Sequence, residues 1–291
     1  MPLRSSDIFV ASYQRSGTTW TQELVWLLAN DLDYNKAAEV PLAHRYQFIE
    51  RFIFFEESRI EEYIKIIKVK NPTFNEEAWV AMIKTMAQPP SGMIATMPSP
   101  RFIKTHLPMS LLNPKLLDTS KMVYVARDPR DVAVSCYHVL KLFQIRAFTG
   151  DFKEFWNLFY RDLFILLPYF EHVKEAWDQR NHPNMLFVFY EELCKDLPAA
   201  IRRVAKFLGK EINQEQVDCL SDHLSFENFK KNTSVNFEEF KELGVLANDE
   251  KFIRKGKMGG WRDYFDEEMT AQAQQWIDDN LRDSDLRFQN M

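Results

Sequence analysis

Near the start of the chain, Val10–Trp20 reads VASYQRSGTTW: an apolar β-rich run, a turn of small residues, then a helical pattern. A strand that turns at a glycine into a helix leaves backbone amides at the helix N-terminus, where partial positive charge collects. The pattern G-x-x-x-x-G-K-[ST] of ATP-type loops does not fit. Aligned on Gly17 and Thr19, the first glycine is Ser12, the lysine is Thr18, and the nearest cation is Arg15 inside the loop. The amides of Gly17, Thr18 and Thr19, with two hydroxyls, can grip one phosphate. What is missing is the ammonium that reaches the outer phosphates of ATP. A plain strand–turn–helix corner is the alternative. It does not account for Arg15-Ser16-Gly17-Thr18-Thr19 directly after the strand.

The rest of the chain repeats this rhythm. Asp7–Ser12, Arg101–His106, Lys121–Arg127 and Met185–Glu191 are nearly continuous apolar runs. Such runs suit parallel strands covered on both faces. Helical patterns cover Thr18–Asn30, Asp128–Phe143, Phe152–Gln179, Leu197–Leu208, Asn213–His223 and Asp266–Asn280, and Pro168 is expected to kink or divide the third. Thr85–Pro100 reads as a loop, and Asn232–Phe252 as a mobile polar surface segment. With 46% hydrophobic residues, 24 Phe and only 8 Gly, a large core is available and an all-β fold is disfavoured. The expectation is α/β: one domain over residues 1–291, with a central parallel sheet flanked by helices.

A net charge of -5 argues against nucleic acid as a partner. Local clusters at Lys230-Lys231 and Arg254-Lys255-Gly256-Lys257 suit a small anion instead. Three widely spaced cysteines, Cys136, Cys194 and Cys219, form no metal knuckle or disulfide framework, which points to a reducing compartment. The most apolar window, LFILLPYF, is short and contains Pro168, so a soluble, cytoplasmic protein with no membrane partner is expected. No His/Cys/Asp/Glu set has metal-ligand spacing.

Ligands of open α/β sheets bind beyond the carboxyl ends of the strands. There the sequence places Tyr13–Thr19, Lys104–His106, Arg127–Asp128 and Tyr190–Glu191, a set rich in cations and donors. In KTHLP, Lys104 and His106 share one face of a strand. The ammonium would keep the imidazole neutral, as a general base requires; a structural histidine is the alternative. In ARDPRDVAVSCYH, Arg127 suits bidentate phosphate contact and Ser135 follows two helical turns on. A salt bridge to Asp128 or Asp131 is the competing use of Arg127. FIRKGKMGGW adds Arg254, Lys255 and Gly256.

Taken in order, YQRSGTTW, KTHLP, VARDPRDVAVS, FYEEL, HLSFENFKKN and FIRKGKMGGW resemble the cytosolic sulfotransferases, from Val10 to about Leu286. YQRSGTTWTQELVWL and PYFEHVKEAW are similar to the insect branch that includes retinol dehydratase. The resemblance implies a P-loop-kinase-like sulfotransferase fold. It also implies sulfonate transfer from PAPS (3'-phosphoadenylyl sulfate) to a hydroxyl, with adenosine 3',5'-bisphosphate (PAP) as product. By position, Arg15, Ser16, Gly17, Thr18 and Thr19 would hold the 5'-phosphate and Trp20 would stack on adenine. Arg127 and Ser135, helped by Arg254, Lys255 and Gly256, would bind the 3'-phosphate. Tyr190, Leu224, Ser225, Phe226 and Phe229 would contact the nucleotide. His106 would be the general base, with Lys104, Arg15 and Ser135 completing the catalytic set.

A sulfonyl group carries less charge than a terminal phosphate, so side-chain cations suffice and no metal is expected. The acceptor site should be apolar, with Phe48, Phe52, Phe54, Phe55, Phe102, Phe143 and Phe148 as candidates beside His106. A small hydrophobic alcohol, phenol, steroid or retinoid fits that content. Sulfonation followed by elimination is the variant reading. A P-loop small-molecule kinase is opposed by the missing lysine and by Arg127, where a Mg²⁺-binding carboxylate belongs. Three departures from the family stand out. Its loop proline is Gln14. Its dimer motif K-x-x-x-T-V-x-x-x-E is not kept in RDYFDEEMTA, which leaves the oligomeric state open. The loop also begins early, so a segment that walls the acceptor pocket in relatives is expected to be short here.

Overall fold

Five strands form one sheet: β1 (Ile8–Ala11), β2 (Gln47–Phe48), β3 (Phe102–Thr105), β4 (Lys121–Ala126) and β5 (Met185–Phe189), in the order β2-β3-β1-β4-β5. The structure is a computed structural model that describes residues 2–70, 72–143, 148–164, 168–242, 245–247, 250–254, 256 and 258–288. All four pairings are parallel, and Ala11 lies opposite Thr105 on one side and Tyr124 on the other. After β1 the chain builds one flank, then crosses to β4 on the other. The C-terminal end of β1 is therefore the switch point of the sheet, where a crevice opens between β3 and β4.

Alternate side chains leave the sheet on opposite faces. Phe9, Ala11, Ile103, Met122 and Tyr124 pack on Val132, Phe155 and Val173 of helices Pro129–Leu142, Phe152–Phe159 and Tyr169–Asp178. Val10, Phe102, Val123 and Leu186 pack on Leu24, Ile201 and Leu220 of helices Thr18–Ala29, Leu197–Leu208 and Gln214–His223. Both faces are dry, which is why the strands read as continuous apolar runs. Among the described residues, no helix is long and apolar enough to cross a membrane.

The Phe152–Gln179 pattern is divided, one of the two outcomes expected of Pro168: Phe152–Phe159 and Tyr169–Asp178 are separate helices, and Pro168 caps the start of the second, where its missing amide costs nothing. Two expectations need correction. Thr85–Pro100 is not all loop: Ser91–Thr96 is helical and buries Ile94. Asn232–Phe252 is not a solvated segment. Val235, Phe240 and Val245 are buried, and Phe240 packs edge-on against Phe143 at 5.9 Å.

Candidate active site

The loop after β1 is shaped by two left-handed residues, Arg15 (φ 67°) and Gly17 (φ 103°). Gly17 caps the Thr18–Ala29 helix with no side-chain bond, so the first amides of that helix are left to a ligand. A Cβ at Gly17 would sit 2.6 Å from Tyr190 Cδ2, so only glycine fits. Ser12 Oγ and Thr18 Oγ1 lie 2.6 Å apart and close the loop in the place of the first glycine. Ser16 Oγ is buried without a hydrogen-bond partner among the described residues. An open helix N-terminus whose Gly17, Thr18 and Thr19 line the adjoining cavity is a cradle that a phosphate fits.

Around this cradle opens a cavity of about 610 Å³. Arg15, Gly17, Thr18, Thr19, Trp20, Arg127, Ser135, Tyr190, Leu224, Ser225, Phe226, Phe229, Arg254 and Gly256 line one part of it. Ser16 does not reach the wall, and Lys255 lies outside the described residues. Arg15 donates from Nε to Ser135 Oγ (3.0 Å) and from Nη2 to the Phe252 carbonyl (3.0 Å). Burial pulls its pKa down to about 10, and the nearby cations Arg127 and Arg254 push the same way. Three converging guanidinium groups repel one another, and a bound anion relieves that repulsion.

Several contacts hold these groups in place. Trp20 donates to the Leu224 carbonyl (2.9 Å), and its ring meets Tyr190 edge-on. Arg127 lies 4.3 Å above the Tyr190 ring. A Cβ on Gly256 would strike Phe226 at 2.0 Å, so this position too requires glycine. Asp131 accepts from the amides of Gly259 (2.8 Å) and Trp261 (2.9 Å), pinning the segment after Arg254. Its separation from Arg127 is 3.7 Å, while Asp128 caps the Pro129–Leu142 helix and pairs with Arg130 (2.6 Å). Arg127 therefore keeps a face on the cavity.

Lys104 and His106 also line the cavity. His106 Nδ1 lies 2.9 Å from the Ser12 carbonyl, which can only accept, so Nδ1 carries the proton and Nε2 is an acceptor. Burial, then the Lys104 ammonium, hold the His106 pKa well below the usual range. Its backbone is held at both ends. Glu50 Oε1 accepts the His106 amide, and His172 Nε2 donates to the His106 carbonyl at 2.9 Å. Tyr124 O–H in turn donates to His172 Nδ1 (2.7 Å). Burial raises the Glu50 pKa to about 7 and lowers that of Lys104 to about 8.

The other part of the cavity is apolar. Phe48, Phe54, Phe55, Met86, Val139, Phe143, Phe237 and Phe240 line it, and Phe48 meets the His106 ring edge-on at 5.4 Å. Phe52, Phe102 and Phe148 are not brought to the wall. Phe102 lies two residues below Lys104 on β3, buried against Tyr46 and Trp26. Phe148 packs on Tyr137 and Phe155 in the opposite core. Phe52 sits in a 3₁₀ turn, Arg51–Phe54, whose first and last side chains share the cavity side. Sequence reasoning missed Glu50, Arg51, Asp131, His172, Phe237, Phe240 and Phe252. For the first two a signal existed: they are the lone charges inside the apolar run Phe48–Phe55.

A parallel sheet with a lysine-free phosphate loop at its switch point, facing a neutral histidine among cations, defines a nucleotide-using group transferase. Comparison with known proteins narrows the class. A model of the sulfotransferase domain matches residues 5–285, and the chain belongs to the sulfotransferase family, as a PAPS-dependent enzyme. Luciferin sulfotransferase of Photinus pyralis is 36% identical over 97% of this chain and 73% of its own length. Sulfotransferase 1C2 of Oryctolagus cuniculus is 31% identical over 90% of this chain and 78% of its own length. Retinol dehydratase, solved in complex with androsterone and inactive cofactor PAP, superposes with a TM-score of 0.96 at 53% identity, covering 100% of this chain and 85% of that one. Its complex with retinol and PAP gives a TM-score of 0.95.

Proposed function

We propose that the chain sulfonates small hydrophobic alcohols or phenols of steroid or retinoid size, in the cytoplasm and as one unit spanning residues 1–291. The observation that carries this is one continuous cavity, with a cation-lined phosphate cradle in one part, an aromatic wall in the other, and His106 in contact with both through Ser12 and Phe48. Retinol dehydratase holds two such ligands, androsterone and retinol. The three free cysteines suit a reducing compartment.

PAPS supplies an activated sulfonyl group on the 5'-phosphate of a nucleotide. The Arg15–Thr19 loop holds that phosphate, Trp20 stacks on the base, Tyr190 and Phe229 contact the nucleotide, and Arg127, Ser135 and Arg254 take the 3'-phosphate. His106 Nε2 accepts the hydroxyl proton as the acceptor oxygen bonds to sulfur. Lys104 and Arg15 stabilise the charge that develops on the departing phosphate oxygen.

An acceptor screen with sulfur-labelled PAPS tests this proposal. Transfer to hydrophobic alcohols in EDTA, with none from labelled ATP, is the expected result; label transfer only to sugars would defeat it. Mass spectrometry of the product separates a stable sulfate ester from an eliminated polyene. For the nucleotide, Arg254→Met should weaken PAP binding about tenfold to a hundredfold and leave AMP, which lacks the 3'-phosphate, unchanged. Calorimetry that finds equal losses for PAP and AMP would refute that contact.

The pH dependence has a defined sign. His106, held below its usual range, stays neutral through pH 7, so the acid limb lies well under the ordinary histidine pKa. Lys104 loses its proton as pH rises through about 8, with Glu50 favouring the charge and Arg15 opposing it. The kcat/KM for PAPS should therefore decline above about pH 8, and that decline should disappear in Lys104→Arg.

A further inference from the structure

Arg51 is out of place in the wall it belongs to. It lines the cavity beside Phe48, Phe54, Phe55 and Met86. The 3₁₀ turn Arg51–Phe54 explains its direction, since residues three apart in such a turn eclipse one another and Phe54 faces the same space. No carboxylate pairs with it among the described residues. Its hydrogen bond is a long, exposed one, Nη2 to the Thr85 carbonyl at 3.4 Å, and Nε has no partner among the described residues. Burial lowers the pKa of the guanidinium and no neighbouring charge offsets the loss. The side chain is half-buried and its Nη2 bond lies on the exposed side, so the guanidinium keeps donors that a ligand in the cavity can reach.

We propose that Arg51 determines acceptor specificity by donating to an oxygen, ketone or carboxylate, carried by the acceptor at the end remote from the hydroxyl that is sulfonated. This rests on the functional reading above, which puts an apolar acceptor in this part of the cavity with its hydroxyl at His106. The favoured substrates are then bifunctional: a hydroxyl for His106, an apolar body against the phenylalanines, and an oxygen for the Nη donors of Arg51. An alcohol without the second oxygen fits the same wall but leaves the guanidinium with only its long bond to the Thr85 carbonyl. Because the contact is distant from the reacting atoms, it forms equally in the bound substrate and in the transition state. It therefore acts on KM rather than kcat.

The test compares matched 3-hydroxysteroids that differ only at the far ring: ketone, carboxylate or plain methylene. The full chain and its Arg51→Met and Arg51→Lys variants are assayed with labelled PAPS. Methionine keeps the length of the side chain and removes the donors. The ratio of kcat/KM for ketone over methylene should fall about tenfold in Arg51→Met, through KM, with kcat on the methylene compound within about twofold of the parent. Arg51→Lys should fall in between. The carboxylate should show the larger fall if ion pairing dominates, and a fall equal to that of the ketone if one hydrogen bond carries the preference; either supports the proposal. Turnover of all three compounds with a ratio unaltered by Arg51→Met overturns this inference alone. Absence of turnover on every hydrophobic alcohol overturns the functional reading, and the inference with it.

Discussion

His106→Ala should lower kcat by about 10²–10⁴-fold while PAP affinity changes by less than about twofold. The reason lies in how the ring is held. The Ser12 carbonyl fixes the proton on Nδ1, so Nε2 keeps its lone pair in every molecule rather than in a fraction of them. Burial and the Lys104 ammonium keep the ring uncharged, which removes the competing state at neutral pH. The backbone on either side cannot drift, because Glu50 takes the amide and His172 binds the carbonyl. Alanine removes the base and leaves this frame standing, and the nucleotide cradle is built from other elements. His106→Gln sharpens the test: its amide can mimic the donor but cannot take a proton, so it should be nearly as slow as alanine. Single-turnover assays alongside PAP titration separate the outcomes. Intact turnover in either variant would remove His106 from the role of base. Lost PAP binding would make the residue a structural part of the cradle.

Much of this frame was legible in the sequence, for physical reasons that differ by residue. The four long strands showed because burial on both faces forces continuous apolar runs, and the loop showed because Gly17 and the threonines leave little alternative use. β2 did not show: two residues, Gln47–Phe48, are too few to carry a period, and tertiary pairing with β3 alone makes them a strand. The segment after Asn232 misled because Val235, Phe240 and Val245 follow no helical or strand spacing, yet each finds a buried seat. Among the candidate phenylalanines, Phe48, Phe54, Phe55 and Phe143 reach the cavity while Phe52, Phe102 and Phe148 do not. Composition announces an apolar site, but which ring faces it depends on strand parity and on the phase of one 3₁₀ turn. Glu50 stood out as a charge in an apolar run and Asp131 as a partner for Arg127, but that each also accepts backbone amides was not readable, because a backbone partner leaves no trace in the sequence.

The largest stability effect should come from the opposite end of the same strands. Arg101 and Asp7 are fully buried, with Nε to Oδ1 at 2.8 Å and Nη2 to Oδ2 at 2.5 Å. Arg101 also donates to the carbonyls of Ile94 (3.0 Å) and Pro2 (2.8 Å), and Asp7 accepts from the Arg4 amide (2.9 Å). One ion pair thus ties the starts of β1 and β3 to the Ser91–Thr96 helix and the N-terminus. Arg101→Leu leaves a buried carboxylate and two carbonyls without their donors, and should cost about 3–5 kcal/mol. At this chain length that is a fall of roughly 10 °C in Tm. Adding Asp7→Leu removes the stranded charge, so the double variant should be more stable than Arg101→Leu alone. Thermal unfolding of the three proteins checks this. A double variant less stable than the single one would mean that the carboxylate does more for the fold through the Arg4 amide than it costs unpaired. Turnover below the transition should be kept in all three, because the pair sits at the amino ends of β1 and β3 while the loop, Lys104 and His106 sit at the carboxyl ends.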